Sequence, residues 1–138
     1  MDQLDLDGST PTMLAAMSGH KDVVLILTHE GANLDIVNKR GWSALHYASD
    51  KGYADIVDVL VNQNANINIV IKDGSTPTML AAMSGHKDVV LILTHKGANL
   101  DIVNKRGWSA LHYASDKGYA DIVDVLVNQN ADINIVIK

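Results

Sequence analysis

Apolar and small residues recur along the chain in short blocks parted by glycine-centred breaks. In residues 73–105, Thr76-Pro77 opens a run that includes Met79, Leu80, Ala81, Ala82 and Met83, and Ser84-Gly85-His86 interrupts it. Threonine suits a helix N-cap and proline the first helical position, so a short helix is predicted from Thr76-Pro77. A second helix is predicted over roughly Lys87 to Lys96, and Gly97 ends it in the left-handed cap position. Residues 40–72 and 106–138 place Asn64 and Asn130 at that cap, and asparagine is the next-best residue for a positive φ. The stretch Asn99–Lys105 alternates polar with branched apolar residues and reads as an extended loop leading into the next turn. One unit is therefore turn, helix, turn, helix and loop.

The unit repeats. Asp7–Lys72 and Asp73–Lys138 differ at two positions only, Glu30 against Lys96 and Asn66 against Asp132. A shift of 33 residues gives a weaker match, with 10 of 33 residues shared between 73–105 and 106–138. The order is A-B-A-B, with A units at 7–39 and 73–105 and B units at 40–72 and 106–138. Repeats of this length stack into a solenoid whose units cannot bury their apolar faces alone. The expected fold class is all-α: a single domain over 7–138 of four helix-turn-helix repeats with extended turn fingers, behind a leader at 1–6.

With its period of 33, this layout resembles the ankyrin repeat. The B unit carries Ser43-Ala-Leu-His-Tyr-Ala48, Gly52-Tyr53, Asp55-Ile-Val57 and Ala65-Asn-Ile-Asn68, and the A unit carries Thr10-Pro-Thr-Met-Leu-Ala-Ala16, Gly19-His20, Asp22-Val-Val24 and Gly31-Ala-Asn33. Several positions depart from the family pattern. Thr12 and Thr78 stand where the family buries Leu, Met13 and Met79 replace the motif His, and Ala44 and Ala110 replace Pro. Ile71 occupies the place of a turn Asp, where the B-type turns have Asn38 and Asn104, so the turn at 71–75 is expected to be the less rigid one. The resemblance implies that His46 and His112 bond backbone groups and tether neighbouring turns.

Composition narrows the function. Apolar residues are 47% and charged residues 20% of the chain, which excludes a disordered or collagen-like chain. Phenylalanine is absent, so Val, Ile, Leu, Ala and Met must build the core. The net charge of −5 argues against nucleic acid or an anionic membrane as partner. With no cysteine there is no thiolate nucleophile and no Cys-ligated zinc. The start of the chain lacks a secretory signal pattern, and its longest aliphatic run, Val23 to Leu27, is too short to span a bilayer.

No catalytic pattern stands out. A Gly-x-Ser-x-Gly elbow, a Walker loop and a dinucleotide fingerprint are all missing. His20 and His86 fall between helices, where a turn or capping role is expected, and His29 and His95 fall in the last turn of the second helix, where the dipole favours a cation. No two histidines have zinc spacing. Asp55 and Asp58 read as a solvated face rather than an acid–base couple. The chain is read as a non-enzyme with no cofactor.

Surface recognition remains, as the resemblance implies. In the family the turn tips and the exposed side of the first helix line a concave groove, which maps here to Arg40, Trp42, Asp50, Lys51, Ser75, Met83, Arg106, Trp108, Asp116 and Lys117. Trp and Arg dominate binding energies at interfaces, so Trp42 and Trp108 are the sharpest candidates; the alternative is that each indole packs on its own turn. Leu25 and Leu91, at the position of Asp58 and Asp124, are expected to face solvent. The last repeat nearly copies an internal one, and only Leu4 and Leu6 of the leader are available to cover the first, so head-to-tail self-association is expected. Near-identity of the halves requires recent copying or deliberate assembly. The favoured reading is an engineered or duplicated repeat scaffold without an evolved partner. The alternative is a natural cytoplasmic interaction module binding a protein or peptide.

Overall fold

The structure, a computed structural model, describes residues 6–138; Leu4, a candidate cover for the first repeat, lies outside the described residues. Among the described residues eight helices follow one another: α1 (Pro11–Ser18), α2 (Lys21–His29), α3 (Ala44–Lys51), α4 (Ala54–Asn62), α5 (Pro77–Ser84), α6 (Lys87–His95), α7 (Ala110–Lys117) and α8 (Ala120–Asn128). No strand occurs among the described residues.

Local chemistry sets the helix ends. Thr10 and Thr76 accept the backbone N–H of Met13 and Met79, and proline opens α1 and α5. In α3 and α7 a capping box forms instead, between Ser43 and His46 and between Ser109 and His112. Each first helix ends on a left-handed glycine, Gly19, Gly52, Gly85 or Gly118, which lets its backbone N–H reach back to the orphan carbonyls of the last turn. The second helices end on Gly31 and Gly97, or on Asn64 and Asn130 at φ 69°, so the exchange of Gly for Asn preserves the backbone conformation.

The first helices α1, α3, α5 and α7 form one row, each packed on the next, and the second helices form a row behind them. Alanines sit at the tightest places of the front row: Ala16, Ala48, Ala81, Ala82 and Ala114 are fully buried. The first helices pack more closely on one another than the second helices do. Branched residues of the second helices, among them Val24, Ile56, Val57, Leu60, Val90, Leu93, Ile122 and Leu126, fill the space between the rows. Thr12 and Thr78 are buried, as the leucines they replace would be. Leu25 and Leu91 differ from the expectation of solvent-facing residues. Both are half-buried, and Leu91 packs against the core, whereas Asp58 and Asp124 are exposed.

Because the halves are nearly identical, position in the stack alone separates equivalent residues. Leu14 is 43% exposed and Leu80 3%; Val23 is 44% exposed and Val89 fully buried. Repeat two packs on the A unit at 73–105, whereas among the described residues no other repeat lies on that side of the A unit at 7–39. Leu6 packs in part against the core of that first repeat.

Candidate functional site

The B-type turn is organised by a buried asparagine. Asn38 Oδ1 accepts the backbone N–H groups of Arg40 and Trp42 at 3.0 and 3.1 Å, while its Nδ2 donates to Tyr47 Oη at 2.8 Å and Ser9 Oγ at 3.1 Å. Asn104 repeats the pattern with Arg106, Trp108, Tyr113 and Ser75. One side chain thus closes its own turn, ties it to the first helix of the next repeat through the tyrosine and ties it back to the opening turn of its own repeat through the serine. The turn at 71–75 has Ile71 in that place and is closed by backbone bonds from Ile71 to Ser75 and from Gly74 to Ile71, with Asp73 Oδ1 accepting from Ser75 N–H. It lacks the inter-repeat side-chain bond that the asparagine supplies.

The tryptophans sit on these turns, each half-buried. The Trp42 ring lies 4.8 Å from that of Tyr47 and 6.0 Å from that of His46, and the Arg40 guanidinium stands 4.6 Å above it. Trp108 repeats the arrangement with Tyr113, His112 and Arg106. Each indole therefore contacts the tyrosine and histidine of the helix that follows it and carries the arginine two residues before it.

Of the remaining groove candidates, Lys51, Arg106, Asp116 and Lys117 are exposed, and Arg40, Asp50 and Met83 are half-exposed. Ser75 does not belong with them. It is 1% exposed: its hydroxyl accepts from Asn104 and its backbone meets His46 of repeat two on the other side, whereas Ser9, with the equivalent bond from Asn38, stays half-buried.

The histidines divide by position. His46 Nδ1 accepts the Ser43 backbone N–H at 2.9 Å, which leaves Nε2 to carry the proton and donate to the Ile69 carbonyl at 2.9 Å. Burial lowers its pKa to about 4, against the opposing pull of the Ile69 and Ser75 carbonyls and the Asp73 charge. His112 makes the equivalent bond to Ile135. His86 makes no side-chain cap for its helix. Its Nε2 instead donates across the stack to the Asp50 carbonyl at 3.0 Å, with the ring seated on Gly52, where a Cβ would collide with it. His29 and His95 are exposed at the ends of their helices.

Two sets of inter-repeat contacts carry no sequence motif. One is the pair of Asn–Tyr bonds described above. The other is a ladder in the loops: Asp35 Oδ1 accepts from Asn66 N–H, Asn68 Oδ1 from Asn99 N–H and Asp101 Oδ1 from Asp132 N–H, each at 2.9 Å. Its signal was present as a short polar acceptor recurring at the same place in each unit, at 35, 68, 101 and 134.

Among the described residues, no three His, Asp or Glu side chains gather as a metal site would require, and no helix is long and apolar enough to cross a membrane. The arrangement is a surface held rigid by inter-repeat hydrogen bonds, with side chains available for contact along the turns and first helices.

Such a surface on a two-row stack of helix-turn-helix units defines a repeat solenoid. The profile of the family described as ankyrin repeats (3 copies) matches residues 1–71 and 63–137, and the chain belongs to that family. It is also similar to the human transient receptor potential cation channel subfamily A member 1, with 51% identity over 45 residues, which are 33% of this chain and 4% of the channel subunit. The chain thus corresponds to a small part of that relative's length. Ankyrin repeats serve in general as protein-interaction modules.

Proposed function

We propose that the chain is a non-catalytic repeat scaffold, produced by copying one two-repeat unit, whose concave face is open to a protein or peptide without having been shaped around one partner. The observation that carries this reading is the duplication of the face itself. Arg, Trp, Asp and Lys recur in the same setting at 40, 42, 50 and 51 and at 106, 108, 116 and 117, and both indoles are engaged with tyrosines of their own repeats. A groove refined for one ligand would diversify at its contact positions, whereas these are unchanged between the copies.

The stacked Arg40–Trp42 and Arg106–Trp108 pairs favour a second reading, a cytoplasmic interaction module, because preorganised Trp and Arg are what binding hot spots use. Affinity capture separates the two, using the chain and its Lys51→Glu, Lys117→Glu variant. Both lysines are exposed, so the variant keeps the fold. The scaffold reading expects neither protein to retain a stoichiometric partner at physiological salt. A partner held by the chain and lost by the variant, with helicity unchanged, overturns it in favour of the module.

A further inference from the structure

We propose that the two ends of the stack are complementary halves of one joint, and that a second copy of this chain docks its first repeat onto the last repeat of the first copy, head to tail. This goes beyond the groove reading and uses a different surface.

The joint already exists once inside the molecule, where repeat two (40–72) meets repeat three (73–105). There α3 packs on α5 and α4 on α6, His86 bonds the Asp50 carbonyl, and Asn68 accepts from Asn99 N–H. The last repeat is repeat two again, apart from Asp132 in place of Asn66, and the first repeat is repeat three again, apart from Glu30 in place of Lys96. Each end therefore carries the partner surface of the other.

Both halves lie open. At the last repeat a hollow of about 340 Å³ is lined by Trp108, Leu111, His112, Asp116, Asp132 and Ile133, among others. In repeat two the equivalent residues Leu45 and His46 are fully covered by repeat three, while Leu111 and His112 are only half-buried. Ile133 is 66% exposed, and its equivalent Ile67 is packed against the core. At the other end Leu14, Val23 and Ile26 are exposed, whereas Leu80 and Val89 are buried and Ile92 is half-buried. His20 and Asn33 there match His86 and Asn99, and they would meet the Asp116 carbonyl and the Asn134 side chain of the neighbouring copy. The contact is heterologous, so it leaves a free end after each addition and need not close on itself.

The two positions at which the halves differ alter the charge at this joint. Between copies it carries Glu30 and Asp132 where the internal joint has Lys96 and Asn66, on chains of net charge −5. Repulsion weakens association at low ionic strength, and salt relieves it.

The test is sedimentation or light scattering over a concentration series, with variants made at exposed positions so that each chain folds alone. The chain should rise from 14.9 kDa through multiples of that mass, more readily in added salt. Glu30→Lys with Asp132→Asn makes the joint residue for residue the internal one, and should tighten association several-fold. Val23→Glu blocks the first repeat and Ile133→Glu the last, so each variant alone should stay monomeric, while an equimolar mixture of the two should give a one-to-one dimer and nothing larger. A constant monomer mass for both the chain and the Glu30→Lys, Asp132→Asn variant overturns the proposal. So does an end variant that associates by itself, or a mixture that remains monomeric.

Discussion

At the scale of single residues, burial acts on two kinds of polar group with opposite results. His46 has every ring nitrogen partnered, yet its charged form is excluded, and its pKa falls from 6.5 to about 4. The unfolded chain binds that proton near pH 6.5 and the folded chain near 4, so the ring's contribution to stability is complete above 6.5 and is lost as the pH drops toward 4. At ~1.36 kcal/mol per pKa unit the full loss is on the order of 3 kcal/mol. Denaturant titrations between pH 7 and pH 4 should show this decline, with a shallower slope in His46→Gln. Ser49 and Thr78 are the other kind, since their buried hydroxyls have no hydrogen-bond partner. Ser49→Ala and Thr78→Val should each raise stability by ~1 kcal/mol, because an unpaired buried hydroxyl is costly; an unchanged or lower midpoint in urea for both would refute that assignment. The resemblance made the role of His46 legible. It gave no means of seeing the Asn38–Tyr47 bond, whose partners are nine residues apart on a turn and a helix. Ser75 was misplaced for a related reason: its exposure depends on the neighbouring repeat, not on its own turn.

At the scale of elements, the breaks in the pattern located nearly everything. The predicted first helix at Thr76-Pro77 is α5 with Thr76 as its cap. The predicted second helix ends at His95 rather than Lys96, since Lys96 takes the C-cap and Gly97 turns left-handed behind it. Caps and turns are local chemistry, and for that reason sequence reveals them. Thr76→Ala should cost ~1 kcal/mol by leaving the Met79 N–H unsatisfied, read as a lower urea midpoint. Asn64→Gly should stabilise by about 0.5 kcal/mol, because glycine holds φ 69° without a Cβ penalty; a loss of stability there would mean that the asparagine side chain contributes more than its backbone conformation. What remained hidden was the contact between elements of different repeats, such as His86 reaching Asp50. Its helix-junction position suggested a local role, and only the stacking of repeats brings the carbonyl within reach.

For the whole molecule, stability is a sum of weak repeats and strong joints. Residues 1–72 contain one internal joint, and the fragment is expected to be largely unfolded alone or folded only as a dimer; a cooperative monomeric melt of that fragment would contradict this. The near-identity of the halves also provides an internal control, because α1 and α5 share the sequence PTMLAAMS and differ only in place. The central claim is that place in the stack, through the joints on either side, decides how firmly a helix is held. Amide hydrogen exchange at a concentration where the chain is monomeric tests it most directly. The expected result is slow exchange in α3 and α5, and exchange in α1 at least tenfold faster than in α5, a difference of ~1.4 kcal/mol in opening free energy. Equal protection of α1 and α5 would show that the sequence of each helix, not its neighbours, sets local stability, and would contradict the account.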